Sequence, residues 1–324
     1  MASPVCLIVN PAAAGGKAGR LGPELERALS HRGITVRRVQ TRDLDHAREL
    51  AQDAAGRGET VVALSGDGMV GAIADAMRQI PGAVLGILPG GRGNDFARVL
   101  GISQDPAAAC ATVAEGSPRP VDMGEVGGRG FVGIASVGFD SDANRIANEA
   151  PRWMGALVYA YGALRALAAW RPATFVIELD PPGERHTFTG YSVGAANSKA
   201  YGGGMFAAPD ALLDDGLLEI IVLEDMSRMR FLTRVLPRVF KGTHVELPSV
   251  RVFRAREVEI SADRPFTMYA DGDPIGELPL RVRAVPGAVN VLVPLTAQER
   301  PAFATPHPAA AEPAATGDES PVGP

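Results

Sequence analysis

The chain has 324 residues, of which 46% are hydrophobic and 21% charged, so it can bury a sizeable core, and its length favours two domains over one. A formal net charge of −5 does not mark a general nucleic-acid binder. Its two cysteines, Cys6 and Cys110, have neither metal-site spacing nor a disulfide framework. They predict small core residues in a reducing compartment, and the absence of a basic signal-peptide start agrees with a cytoplasmic location.

From Val5 to about Glu115 the pattern alternates between short apolar strands and helices. It predicts strands at 5–9, 34–39, 60–64 and 84–88, and helices at 19–31, 43–57, 69–80 and 94–115, the last broken near 102–106. Such alternation predicts an α/β domain with a parallel sheet that is covered on both faces. Ligands of these sheets bind beyond the carboxyl ends of the strands, where Thr41, Gly66 and Gly90 are expected.

After Pro118 and Pro120 the pattern changes to strands that are joined by turns. It predicts strands at 121–126, 131–137, 174–179, 187–195, 217–223, 257–261, 267–270, 280–284 and 289–293, and helices at 142–149, 153–169 and 227–240. This half is therefore expected to be a mostly antiparallel β domain. We predict domains at 1–120, which residues 289–297 could complete, and at 121–288, followed by a disordered Pro/Ala-rich tail at 298–324.

One apolar segment, Trp153 to Trp170, is about as long as a short bilayer span. Arg165 would then lie deep among the lipid chains, and the Ala and Gly content makes the segment only mildly hydrophobic. We therefore predict a buried or interfacial helix and no transmembrane segment. A transient contact with a lipid surface is compatible with this prediction.

Two glycine-rich turns follow the third and fourth predicted strands. Residues 65–68 read Ser-Gly-Asp-Gly, and residues 89–95 read Pro-Gly-Gly-Arg-Gly-Asn-Asp. Glycine lets backbone N–H groups approach an anion closely, so the two turns predict one phosphate-binding site. Arg92 suits phosphate oxygens, and Asp67 could hold a metal–phosphate or orient a hydroxyl. An aspartate in a turn is common, however, and Asn94 alone is typical of a helix N-cap.

A third candidate loop, residues 10–20, follows the first predicted strand. It is similar to a phosphate loop but lacks the first glycine and the final Ser/Thr of the Walker A motif. Lys17 and Arg20 could pair with phosphates near the helix N-terminus, and solvated charges on an ordinary turn are equally compatible. Thr41, at the end of the second strand, is by itself more typical of an N-cap.

Two acidic turns in the second half are candidates for metal binding and catalysis. Residues 214–216 read Asp-Asp-Gly, and residues 271–273 read Asp-Gly-Asp. Each is also typical of an ordinary turn. A hard cation such as Mg²⁺ could use one carboxylate of the first turn together with nearby carbonyls.

These motifs, in their order and spacing, resemble the bacterial diacylglycerol kinase family, in the lipid-kinase superfamily that includes sphingosine and ceramide kinases. The motifs are Asn10-Pro11 with Gly15-Gly16, residues 65–68, residues 89–98, Pro209-x-Ala211 with Asp214-Asp215-Gly216, and Asp271-Gly272-Asp273. The resemblance covers roughly residues 4–295. It implies an N-terminal α/β nucleotide domain, a β-sandwich-like C-terminal domain and a cleft between them.

The resemblance further implies an ATP-dependent kinase that uses Mg²⁺ and phosphorylates a lipid hydroxyl, with diacylglycerol as the first candidate. The motifs and the resemblance together predict nucleotide-binding residues Asn10, Pro11, Ala12, Ala13, Ala14, Gly15, Lys17, Thr41, Ser65, Gly66, Gly68, Met69, Gly91, Arg92 and Asn94. The family's structural Mg²⁺ site corresponds to Asp215 with the carbonyls of Leu212 and Leu217. The family's proposed base corresponds to Asp273, and Asp271 and Asp67 are further acids in family motifs.

Four positions depart from the family pattern. Met69 replaces a threonine, Ala72 a glutamate, Arg92 a threonine and Asp273 the closing glutamate. Sphingosine kinases also carry Ser-Gly-Asp-Gly, so the change at Ser65 is tolerable. The cation of Arg92 could supply phosphate contacts that the missing hydroxyls would have made.

Several alternative functions remain open on the sequence. A sphingosine-type or other lipid-alcohol kinase would use the same motifs, and an NAD kinase shares the glycine–aspartate strand end. Met69 and Ala72 favour a non-catalytic nucleotide- or lipid-binding module. The expected partner is a lipid substrate presented at a membrane surface, with transient membrane association and no nucleic acid, and the sequence allows a homodimer.

Overall fold

The first half of the chain forms a parallel sheet between helices. The structure is a computed structural model that describes residues 3–149, 157–295 and 302–304. Its first elements are β1 (Val5–Val9), α1 (Ala13–Ser30), β2 (Val36–Gln40), α2 (Leu44–Gly56), β3 (Thr60–Ser65), α3 (Asp67–Met77), β4 (Val84–Pro89), α4 (Asp95–Val99) and α5 (Pro106–Glu115). The strands pair in parallel in the order β4-β3-β1-β2, which confirms the predicted α/β class.

Burial explains why these segments adopt this arrangement. Strands β1 and β3 are buried along almost their whole length, because helices cover both faces of the sheet. Met69, Ile73 and Met77 recur at helical spacing and are all buried on α3. Cys6 and Cys110 are buried and unpaired, and burial raises the pKa of the Cys6 thiol to about 11.

The second half is built mainly from antiparallel strands, as predicted. Its elements are β5 (Ser117–Val126), β6 (Arg129–Phe131), β7 (Ile134–Gly138), α6 (Phe139–Glu149), α7 (Leu157–Ala169), β8 (Ala173–Leu179), β9 (Glu184–Ala196), β10 (Leu218–Glu224), α8 (Arg228–Arg230), a π-helical turn (Phe231–Val235), α9 (Leu236–Val239), a 3-10 turn (Thr243–Glu246), β11 (Val250–Ala255), β12 (Glu257–Ala262), β13 (Thr267–Ala270), β14 (Asp273–Glu277) and β15 (Leu280–Val293). The sequence pattern predicted neither β11 nor β14, and it merged β6 with β7.

Strand β15 joins the two halves into one 15-stranded sheet. Its beginning pairs with β12, much of its length pairs with β5, and Asn290 and Val291 pair in parallel with Val84 and Leu85 of β4. The strands predicted at 280–284 and 289–293 are therefore one strand, irregular between Val285 and Val289 in its pairing with β5. The domain boundaries stay a prediction.

An aromatic cluster forms the centre of the second half. The rings of Trp170 and Tyr191 stack at 5.8 Å, and Tyr191 stacks on Phe231 at 4.9 Å. Phe139 meets Phe231 edge to face at 5.0 Å. Each buried aromatic ring removes a large apolar area from water, so this cluster fixes the π-helical turn against β9 and α6.

The two segments with unusual composition are described only in part. Residues 153–156 of the predicted apolar helix lie outside the described residues, and no helix in the described part of the chain is long and apolar enough to cross a bilayer. Most of the predicted tail at 298–324 also lies outside them. Within it, Ala302 is buried and its carbonyl accepts the N–H of Leu213 at 2.8 Å, while the guanidinium of Arg119 lies 3.9 Å from the ring centroid of Phe303.

Candidate active site

The carboxyl ends of β1, β3 and β4 meet at one edge of the sheet. The Asn10 side chain donates to the hydroxyl of Ser65 at 3.3 Å, and its own side-chain oxygen accepts the N–H of Ala12 at 3.0 Å. The N–H of Gly90 donates to the carbonyl of Ser65 at 2.8 Å. Parallel pairing thus brings together three loops that are far apart in sequence.

The two glycine turns touch because neither carries a side chain at the contact. A Cβ atom on Gly91 would collide with the Cα of Gly66, and one on Gly66 would lie 3.1 Å from the Cα of Gly91. Asn94, at a φ of 51°, closes the second turn by accepting the N–H of Gly91 at 2.8 Å. Its side chain therefore closes the loop instead of capping α4, which differs from the ordinary N-cap interpretation.

The loop after β1 makes a left-handed turn before α1 becomes regular. Ala14, Gly15 and Gly16 have φ values of 48°, 67° and 88°. Ala12–Gly15 line the same cavity as the glycine turns, so their backbone is accessible to a ligand. Successive backbone N–H groups in such turns form concave sites that favour anions.

One cavity of about 820 Å³ contains most of the predicted site. Among the predicted nucleotide and catalytic residues, its lining includes Asn10, Ala12, Ala13, Ala14, Gly15, Ser65, Gly66, Asp67, Gly68, Met69, Gly91, Arg92 and Asp271. The lining does not include Pro11, Lys17, Thr41, Asn94, Leu212, Asp215, Leu217 or Asp273. Thr41 is buried and its hydroxyl donates to the Asp43 carbonyl at 2.6 Å, while Lys17 is exposed beside the loop.

Asp67 belongs to the first glycine turn and reaches the residue that follows the second turn. It starts the first turn of α3, and its Oδ1 accepts the N–H of Phe96 at 3.0 Å. Burial raises the pKa of this carboxyl, although the N–H donors around it oppose the shift and the nearby Asp95 adds to it. Asp67 is thus held in a fixed orientation with one face toward the cavity.

Asp271 is a further acid of the cavity, and its backbone is left-handed. Its φ of 49° lies in a region that most residues with a side chain avoid and that Asn and Asp tolerate best. Three N–H groups hold its carboxylate: Val132 donates at 2.8 Å, Gly133 at 2.9 Å and Ile134 at 3.1 Å. Burial nevertheless raises its pKa to about 6, and Asp67 contributes in the same direction.

Asp273, the predicted base, lies at the start of β14 outside the cavity lining. Its side chain is half exposed, and its Oδ2 lies 3.7 Å from the Arg129 guanidinium. The structure thus brings Asp67 and Asp271 together and leaves Asp273 apart from them.

A turn from the second half packs against the second glycine turn and lines the cavity beside it. Tyr201 and Met205 exchange backbone hydrogen bonds at 2.9 and 3.1 Å around three glycines with positive φ. The N–H of Gly203 donates to the buried carboxylate of Asp95 at 2.6 Å. This hydrogen bond connects the second glycine turn, after β4, with the second half of the chain. No sequence pattern predicted it.

The far arm of the cavity is apolar. Its lining includes Phe139, Ile221, Leu223, Phe231, Val235, Leu236, Val239 and Tyr269. His244 also lines the cavity, and burial lowers its pKa, which keeps the imidazole neutral. These residues come from six separate elements and carry no motif, so no local sequence pattern marks them.

The predicted metal position has suitable oxygen chemistry but lies outside the cavity. One oxygen of Asp215 accepts the N–H of Leu217 at 3.0 Å, and the other lies 3.5 Å from Arg254. Asp122, a buried residue that sequence analysis missed, orients this turn by accepting the N–H of Gly216 at 2.7 Å. One carboxylate with nearby carbonyls fits Mg²⁺ that keeps several waters, although the ion would share the carboxylate with Arg254. In the described part of the chain, no three His, Cys, Asp or Glu side chains cluster in a metal-binding arrangement.

Two family models match the chain over most of its length. The diacylglycerol kinase catalytic domain matches residues 4–126, and the YegS C-terminal NAD kinase beta sandwich-like domain matches residues 133–293. A diacylglycerol kinase of Mycobacterium tuberculosis is 35% identical over 301 residues, which cover 90% of this chain and 95% of that protein. A probable YegS-like lipid kinase of Stenotrophomonas maltophilia is 30% identical over 306 residues, covering 89% and 95%.

The fold also has a counterpart among solved structures. A crystal structure of a diacylglycerol kinase from Bacillus anthracis superposes with a TM-score of 0.71 at 21% sequence identity. The superposition covers 90% of this chain and 97% of that one. At 21% sequence identity this structural similarity is evidence for the fold alone.

Proposed function

The chain belongs to the diacylglycerol kinase and YegS-like lipid kinase family and is an ATP-dependent lipid kinase, and we propose that its acceptor is the free hydroxyl of diacylglycerol. The observation that carries the proposal is one cavity whose lining combines the glycine turns, the acids Asp67, Asp95 and Asp271, and an apolar arm. A phosphate donor and a long-chain alcohol need these two environments side by side.

The glycine turns are suited to the triphosphate of ATP. Phosphoryl transfer depends mainly on positioning and on neutralising charge, so closely approaching N–H groups and cations are the main requirement. Gly66 and Gly91 leave the backbone open, and Gly68 and Met69 lie in the first turn of α3, where a helix favours anions. The exposed Arg92 lines the same end and would pair with phosphate oxygens.

Mg²⁺ bound to the nucleotide would neutralise phosphate charge during transfer. Asp67 would hold this ion, because its carboxylate lines the cavity within the first glycine turn and accepts the N–H of Phe96, directly after the second turn. The turn at Asp215 would hold a second, structural cation outside the cavity. Its role would be to fix the loop between β9 and β10.

Asp271 is the acid that we propose as the proton acceptor. It lines the cavity between the glycine turns and the apolar arm, and three N–H groups fix its orientation. Its raised pKa of about 6 makes it a better base near neutral pH than an ordinary aspartate. Asp273 is a weaker candidate, because its half-exposed side chain lies beside Arg129 outside the lining.

The apolar arm favours a lipid over a soluble acceptor. Phe231, Val235 and Leu236 offer acyl chains a dry surface, whereas a dinucleotide acceptor would need polar partners there. This argues against an NAD kinase. A sphingosine-type or other lipid alcohol would fit the same chemistry and is the second candidate.

The test is a panel of lipid alcohols with labelled ATP. Diacylglycerol, monoacylglycerol, sphingosine and ceramide are each presented in neutral detergent micelles, and the products are separated by thin-layer chromatography. We expect phosphatidic acid to be the main product, and Asp67→Ala to reduce its formation by about 100-fold or more. Asp45→Ala, on the exposed face of α2, is the matched control and should keep full activity.

Preferential labelling of sphingosine would replace the proposed substrate with the second candidate. If the folded protein bound ATP but phosphorylated no lipid of the panel, the remaining interpretation would be a non-catalytic binding module.

A further inference from the structure

We propose that residues 228–241, here called the basic segment, are a docking surface for an anionic lipid bilayer. The segment consists of α8, the π-helical turn, α9 and the two residues that follow. The inference rests on the proposed function, because it supplies the way in which a lipid acceptor would reach the apolar arm.

The basic segment concentrates positive charge in a chain that is otherwise acidic. It carries Arg228, Arg230, Arg234, Arg238 and Lys241, and no Asp or Glu occurs from Met226 to Val245. The whole chain has a net charge of −5, so its overall charge does not attract it to an anionic bilayer. A local cationic face therefore determines which side can approach such a membrane.

The cations of the basic segment are available for a partner. Arg230, Arg234 and Lys241 are exposed, and Arg238 is partly exposed. Among the described residues, none of these four side chains lies in an ion pair, although the segment has the acids Asp225 and Glu246 just outside its two ends. Arg230, Arg234 and Arg238 are spaced by four residues, which is close to one helical turn, so they lie on successive turns.

Two large apolar side chains stand among these cations. Met229 is 67% exposed and Phe240 is 53% exposed, the two highest values among the exposed large hydrophobic residues of the described chain. Cations interleaved with exposed apolar side chains characterise helices that lie in a membrane interface, where the charges meet headgroups and the apolar groups insert between them. A soluble acidic partner would need an apolar recess matched to each of Met229 and Phe240, whereas a bilayer interface accepts both without a specific fit.

The opposite face of the basic segment forms a wall of the apolar arm. Phe231, Val235, Leu236 and Val239 line the cavity, and Phe231 and Val235 are buried. The same short segment thus separates the proposed acyl-chain arm from the exterior. Its π-helical turn and Pro237 interrupt the regular helix at this wall, as π-helical turns often do at functional sites.

Neighbouring cations extend the surface beyond the segment. Arg228 donates to the Trp170 carbonyl at 2.9 Å, and the guanidinium of Arg264 lies 5.4 Å from the Trp170 ring centroid. Both arginines are exposed. Asp263 is the acidic residue next to Arg264. One of its carboxylate oxygens already accepts the N–H of Thr174 at 3.0 Å. The Arg228–Trp170–Arg264 group continues the cationic face onto the residue that follows α7 and onto the loop between β12 and β13.

The test measures vesicle binding without ATP, so that it does not depend on catalysis. Vesicles of phosphatidylcholine with about 30% phosphatidylglycerol are compared with pure phosphatidylcholine vesicles by co-sedimentation of the full chain. One cation near an anionic surface contributes about fivefold to the partition coefficient, so Arg230→Gln/Arg234→Gln/Arg238→Gln should lower binding by about 100-fold. Arg27→Gln/Arg32→Gln/Arg185→Gln, which removes the same charge from exposed positions elsewhere, is the matched control.

A second variant separates insertion from charge attraction. Phe240→Ser should weaken binding to the anionic vesicles and leave the dependence of binding on salt concentration unchanged, whereas the triple glutamine variant should reduce that dependence. Kinase activity on diacylglycerol in neutral micelles should stay near wild type in both variants.

Binding of the triple glutamine variant at the level of its control would overturn the docking surface and leave the proposed kinase function intact. Equal binding of the wild type to neutral and anionic vesicles would also overturn it. Loss of the micellar activity of the wild type, with vesicle binding retained, would instead count against the proposed substrate.

Discussion

Protonation of Asp271 should limit phosphoryl transfer on the acidic side of neutrality. Burial raises the pKa of this carboxyl from 3.8 to about 6. If its ionised form accepts the proton of the lipid hydroxyl, only about one enzyme in eleven is competent at pH 5, and kcat/KM should be about tenfold below its plateau. An aspartate with an ordinary pKa would be almost fully ionised at that pH and would show no such decline.

The same pKa shift predicts that Asp271 stabilises the fold at low pH, where the activity is expected to be lowest. The folded state binds the Asp271 proton more tightly than the unfolded chain, so this group stabilises the fold at low pH and loses that effect as pH rises from about 4 to 6. The difference between 3.8 and about 6 sets an upper limit of about 3 kcal/mol. Urea unfolding at a series of pH values measures it.

Asp271→Asn removes both effects and gives the decisive comparison. The variant should lose about 10²- to 10⁴-fold in kcat, as expected for a missing general base. Between about pH 4 and 6 its free energy of unfolding should rise relative to that of the wild type by up to about 3 kcal/mol, because the other carboxyls titrate in both proteins. Asp273→Asn, outside the cavity lining, should keep the acid limb of the wild type. A flat activity profile from pH 5 to neutrality in the wild type, or an acid limb that survives in Asp271→Asn, would refute the assignment.

Two further variants test the contacts that build the site. Gly91→Ala should push the two glycine turns apart, because its Cβ collides with the Cα of Gly66. We expect the KM for ATP to rise about tenfold or more, with little change in the KM for lipid. The control is Gly56→Ala, whose Cβ meets no atom within 4 Å. Asn197→Ala should lower the free energy of unfolding by about 2–4 kcal/mol in urea titrations. The fully buried amide donates to the carbonyls of Asp122 at 2.9 Å and Val132 at 3.1 Å, and both acceptors would lose this donor. A loss below about 0.5 kcal/mol would contradict this expectation.

Local patterns were sufficient to predict the first half of the fold. Short apolar runs such as 60–64, bounded by turn residues, favour strands buried on both faces, and the repeat of Met69, Ile73 and Met77 favours one side of a helix. The second half was predicted as a class but not strand by strand. Strand β14 begins directly after a glycine turn and has little hydrophobic alternation, so nothing local marks it.

The glycine turns and Asp67 could be predicted as a site because parallel strands place their carboxyl ends along one edge. The sequence could not distinguish Asp271 from Asp273, since two acids on either side of one glycine differ only in the direction that the backbone gives them. The positive φ of Asp271 and the three N–H donors from residues 132–134, more than 130 positions away, decide which carboxyl enters the cavity.

The sequence by itself thus determined the fold class, the order of the motifs and the presence of two glycine turns at strand ends, because these follow from hydrophobic period, glycine placement and spacing along the chain. Only the tertiary structure decided that Asp95 holds Gly203, that Phe231 and Val235 line an apolar arm, and that Asp271 is buried enough to raise its pKa. Contact, cavity shape and desolvation depend on residues that are distant in sequence, and no local pattern encodes them.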